Sequence, residues 1–84
     1  MAMTAVEAIA HATRRAAALN WPWDAAHAVA TRRRCWPFPD RWVVVSRAEG
    51  AVAVATMRVH ERRSGRVIVA PVRVLYAAGG PATS

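Results

Sequence analysis

From Arg41 onward the chain carries a period of two in which β-branched residues dominate, and this pattern limits its fold more than any other feature. Alternation of this kind belongs to half-buried strands. Three strands are expected, at Arg41–Arg47, Ala51–His60 and Arg66–Tyr76, with Glu49-Gly50 making the first turn and Arg62-Arg63-Ser64-Gly65 the second. Turns this short join antiparallel neighbours. With Gly65 left-handed after a type I turn, Glu61 faces Arg66, His60 faces Val67, Val59 faces Ile68, Met57 faces Ala70 and Ala55 faces Val72.

That register sorts the side chains onto two faces. One collects Ala53, Ala55, Met57, Val59, Ile68, Val72 and Val74, joined by Trp42 and Val44, and is wholly apolar. The other collects Thr56, Arg58, His60, Arg73, Val67 and Val69, joined by Arg41, Val43, Val45 and Arg47. Pro71 has no N–H to give to a ladder, so the last strand is expected at a sheet edge or with a bulge at that point.

The apolar face needs a cover, and the N-terminal segment supplies one. Thr4 followed by Glu7 is a capping box, in which each side chain satisfies a backbone N–H at a helix start. Val6, Ile9, Thr13, Ala16 and Leu19 then recur at helical spacing as one apolar stripe, with Glu7, His11, Arg14 and Arg15 on the other side. Asn20 is the expected stop, ahead of Trp21-Pro22-Trp23.

Asp24 to Arg34 supports two readings. Asp24 caps a second short helix over Ala25–Arg33, which propensity slightly favours, or His27 to Arg32 alternates as a further strand. Cys35-Trp36-Pro37-Phe38-Pro39-Asp40 is expected as an extended connector whose aromatics fold back over the core. The expected fold is therefore α+β: an N-terminal helix on one face of a three- to four-stranded antiparallel sheet, with or without the second short helix. A chain of 84 residues holds one hydrophobic core. Residues 1–78 form that single domain and 79–84 a flexible tail.

The chemistry of the side chains narrows the function classes. His11, His27 and His60 are scattered without metal-ligand spacing, and Cys35 is the only cysteine, so neither a metal site nor an internal disulfide is expected. The five acidic residues form no clustered pair, and no nucleophile motif or glycine-rich phosphate loop is present, so neither enzymatic activity, a cofactor nor a small-molecule substrate is expected. The longest apolar runs, such as Ala16 to Leu19, fall far short of the ~20 residues of a membrane span. Charges at Glu7, Arg14 and Arg15 break up the place where a secretion signal would be apolar, so a cytoplasmic location is expected.

A net charge of +7 points to an anionic partner. All twelve basic residues are arginine, and the wealth of Ala, Val, Arg and Gly also fits a GC-rich coding sequence, so the charge alone does not choose the partner. Two surfaces compete. Arg41, Arg47, Arg58, His60 and Arg73 surround valines on the uncovered sheet face, a composition suited to docking an acidic protein or a second copy of the chain. Arg32, Arg33, Arg34 and Trp36 form the densest basic-aromatic cluster, suited to phosphate contact and base stacking on a nucleic acid.

The order of helix, Trp-led strand Arg41-Trp42-Val43-Val44-Val45, Ala51-Val52-Ala53 running into Val59-His60, and Ser64-Gly65-Arg66-Val67 is similar to the small cystatin-like modules. PepSY-type domains and immunity proteins with a nuclear-transport-factor-like fold are among these, and the resemblance spans roughly Thr4 to Val69. It implies a non-enzymatic module that binds, and often inhibits, another protein through its sheet.

Overall fold

The computed structural model describes residues 3–35, 38–48 and 52–76 of the chain. Helix α1 (Ala5–Leu19) starts as its sequence dictates. The Thr4 hydroxyl accepts from the Glu7 N–H at 3.2 Å while the Glu7 carboxylate accepts from the Thr4 N–H at 3.1 Å, so two donors that a helix start leaves unpaired are satisfied. The Glu7 carboxylate accepts from the Thr4 hydroxyl as well, at 3.1 Å, and the bonds from the Thr4 N–H and hydroxyl hold the Glu7 carboxyl below the usual glutamate range. At the other end Asn20 takes the left-handed conformation (φ 57°), and the N–H groups of Asn20 and Trp21 return to the carbonyls of Ala17 and Ala16. This closes the helix in a Schellman arrangement.

The buried face of α1 keeps Ile9, Thr13, Ala16 and Leu19 of the expected stripe but centres on alanines outside it, and Val6 leaves it. Ala8, Ala12 and Ala16 are fully buried, flanked by half-buried Met3, Ile9 and Leu19, whereas Val6 stands 76% exposed. Alanines four apart present a nearly flat strip that lets the helix backbone come close to the sheet, and closeness rather than side-chain bulk decides which face goes inward. Thr13, placed in the apolar stripe, serves by its hydroxyl: it donates to the Ile9 carbonyl at 2.7 Å and accepts from the Trp23 indole at 2.9 Å.

Asp24 caps only a single 3-10 turn, Ala25–His27, and the chain then enters strand β1 (Ala28–Cys35). The helix favoured by propensity for Ala25–Arg33 does not form, because pairing with β2 (Phe38–Ala48) supplies backbone partners and burial that a short polar helix lacks. Cys35 pairs with Phe38, so most of the expected connector is strand. Trp36, Pro37, the Glu49-Gly50 turn and the tail lie outside the described residues, as do the side-chain expectations for Cys35 and Phe38.

Strands β3 (Ala53–Glu61) and β4 (Val67–Tyr76) complete an antiparallel meander of order β1-β2-β3-β4, with α1 on one face. The core joins Ala8, Ala12 and Ala16 to Val44, Met57 and Val59, with Trp21, Trp23 and Trp42 packed at its margin.

Gly65 is left-handed as expected (φ 89°), but the turn closes one residue tighter. Gly65 N–H donates to the Arg62 carbonyl and Arg62 N–H to the Arg66 carbonyl, so Arg62 and Arg66 are the closing pair in place of Glu61 and Arg66. A left-handed third loop residue makes a three-residue loop, and the whole strand shifts with it. Glu61 faces Val67, His60 faces Ile68 and Val59 faces Val69; past Met57 and Pro71 the register slips again, so Thr56 faces Arg73 and Ala55 faces Val74. The correction exchanges faces: Val67 and Val69 pack against the core, and Ile68 takes the outer side. Pro71 lies both on an edge strand and at the irregularity, as its missing donor requires.

Candidate docking face

With α1 on one side, the register lays out the other side of the sheet in four cross-strand rows. Arg33, Arg41, His60 and Ile68 form the first; Thr31, Val43, Arg58 and Ala70 the second. Val29, Val45, Thr56 and Arg73 form the third, and Arg47, Val54 and Leu75 the fourth. Arg41, Arg47, Arg58 and Arg73, expected on this face, are all there and all exposed, and His60 is half-buried beside Arg41 and Ile68.

The arginines do not form a closed rim. Arg58 rises from the middle of the face, with Val43 and Ala70 as its cross-strand neighbours. Cross-strand neighbours lie about 5 Å apart and residues of one strand rise about 3.3 Å each, so Arg58 sits within roughly two screening lengths of each of Arg33, Arg41, Arg47 and Arg73 at physiological salt. Among the described residues the four rows contain no carboxylate to offset them and no aromatic ring. Glu61 shares the helix side, opposite Val67.

At one end the face runs into an open cleft of about 750 Å³ lined by Asp24, Ala26, His27, Ala28, Val29, Val45 and Arg47. The 3-10 turn forms its wall. That turn is fastened to the sheet by Ser46, a fully buried hydroxyl that accepts from the Asp24 N–H at 2.7 Å and donates to the Asp24 carbonyl at 3.1 Å. The Asp24 carboxylate closes on His27 Nδ1 at 2.6 Å and accepts from the Ala26 N–H at 3.0 Å. Both bonds, the His27 contact foremost, hold the Asp24 carboxyl below the usual aspartate range.

The second sequence cluster is divided by the fold. Arg33 pairs with Arg41 and belongs to the open face, Arg32 pairs with Trp42 on the helix side, and Arg34 sits where the β1–β2 register shifts. All three are exposed, and Trp36 lies outside the described residues. Sequence reasoning omitted Val29, Thr31, Arg33, Val54, Ile68, Ala70 and Leu75 from the face. The first three were legible in the alternation of 29, 31 and 33 once that segment was read as a strand; Ile68 required the closing pair of the Gly65 turn.

Among the described residues no three or more His, Cys, Asp or Glu side chains gather in a group able to hold a metal ion, and no helix is long and apolar enough to cross a membrane. No protein-family model, curated protein or solved structure matches the chain.

Proposed function

We propose that this chain is a small, cytoplasmic, non-enzymatic binding module that docks an acidic protein partner on its open sheet face, in the manner of an inhibitor or immunity protein. The observation that carries this reading is the composition of the face: five exposed arginines among aliphatic side chains, with no carboxylate in the four rows. Guanidinium groups on an apolar floor suit bidentate contact with carboxylates that lose their water on docking. A second copy is the poorer occupant, because face-to-face stacking sets five arginines against five.

The test is reversal of charge at two positions that take no part in the core. Arg58→Glu with Arg73→Glu should leave the circular dichroism spectrum intact and abolish a specific complex recovered from the native host and reconstituted with the purified partner. Retention of wild-type affinity by the folded double variant would remove the face from consideration.

A nucleic-acid reading has one specific support, the exposed run Arg32–Arg34 with Arg41 beside Arg33. It requires affinity for random oligonucleotides to fall steeply with salt. Absence of binding at low salt would eliminate it.

A further inference from the structure

The open face is small for the work proposed for it. Its outermost Cα atoms span about 15 Å across four strands and about 20 Å along them, a footprint of roughly 500 Å² with side chains included. A complex of standard size buries about 800 Å² on each partner. A contact of that size continues past the face, and the two sheet edges offer unequal continuations.

On β4 the ladder is interrupted: Pro71 has no N–H and the register slips beside it. A strand laid along β4 would meet that break midway. On β1 the stretch Ala28–Arg33 pairs with β2 without interruption and contains no proline, and among the described residues no strand lies on its other side. Its alternate backbone groups point away from β2, ready for a further strand. Val29 is 64% exposed there, beside the cleft, and Arg32, Arg33 and Arg34 are exposed at the other end.

We propose that β1 is a strand-addition edge, and that its occupant is an extended acidic segment of the partner. The segment runs antiparallel, with carboxylates beside Arg32–Arg34 and β-branched residues beside Ala28–Thr31. This rests on the docking reading above and gives it a mode: main-chain hydrogen bonds along β1 supply affinity, and the arginines select acid. Because successive residues of a strand point to opposite faces, consecutive carboxylates reach Arg33 on the open side and Arg32 on the helix side. The same arginines act against addition of a second β1, which would bring six guanidinium groups into one strand's length. The sheet so extended enlarges the arginine-bearing face by one strand.

The probe is a blocked peptide of three glutamates followed by Val-Thr-Val, offered to the full chain at low salt. Amide hydrogen exchange should slow along residues 28–33. N-methylation of alternate peptide residues should abolish binding in one of the two registers and leave it in the other, since only one set of N–H groups meets β1. Arg33→Glu should weaken binding at least tenfold, whereas Arg15→Glu, an equal change of charge at an exposed position of α1, should change it by less than threefold. Four outcomes would overturn the proposal: no binding at millimolar peptide, equal tolerance of both N-methylated registers, slowed exchange confined to residues 43–45 and 54–58, or concentration-dependent slowing at 28–33 without peptide, which marks a second copy. The docking reading falls separately, through retention of the native complex by the folded Arg58/Arg73 variant.

Discussion

Ser46→Ala tests whether the end of the open face is held by a single side chain. Ser46 is fully buried on the helix side of β2 and, among the described residues, is the side chain that fastens the sheet to the Asp24 backbone: it accepts from the Asp24 N–H at 2.7 Å and donates to its carbonyl at 3.1 Å. Removal of the hydroxyl affects the two groups unequally. The Asp24 carbonyl keeps a partner, since it also accepts from the His27 N–H at 3.1 Å, but the Asp24 N–H is left with none. An orphaned, partly buried N–H costs about 1–3 kcal/mol and a lost neutral hydrogen bond about 1 kcal/mol, offset in part by burial of a methyl in place of a hydroxyl. A net loss of about 2 kcal/mol follows, and for a domain of this size that lowers Tm by about 8–16 °C. Thermal denaturation followed by circular dichroism measures the loss, and hydrogen exchange at the Asp24 amide locates it. A fall in Tm under 2 °C with the Asp24 amide still protected would refute the reasoning.

The alanine strip makes a second prediction: Ala12→Leu should destabilise by about 1–3 kcal/mol through overpacking against the sheet, while Val6→Lys, at an exposed site, should stay within about 0.5 kcal/mol, both read from urea midpoints. Asp24 makes a third. Its carboxyl pKa is depressed in the folded state, so its contribution to stability is present above the unfolded value and is lost as pH falls through the folded one. Asp24→Asn should therefore flatten the acid side of the stability profile below about pH 4 and leave the profile above pH 6 parallel to wild type. A profile with undiminished acid slope would place the effect elsewhere.

Features that depend on a few neighbouring residues were legible in the chain. The Thr4–Glu7 box, the left-handed Asn20 and the left-handed Gly65 follow from local hydrogen bonds and local sterics, and they appear where those rules place them. The inward set Ala53, Ala55, Met57 and Val59 was equally legible, because alternation within one strand needs no partner. So were Arg41, Arg47, Arg58 and Arg73 of the candidate site.

Where two segments must agree, the chain alone did not decide. Residues 28–35 are strand because β2 is there to pair with them, against a slight local preference for helix. Val67 and Val69 face the core, and Ile68 the open side, because the hairpin closes at Arg62 and Arg66 and one residue of register reverses the side chains that follow; the second slip, beside Pro71, returns Val74 to the core side opposite Ala55. The helix turned its alanines inward, leaving Val6 in water, because the gain from close approach is set by the surface opposite and not by the helix itself. Sequence determined the period, the caps and the charge of this protein; the sheet, by fixing register, determined which arginines share a face.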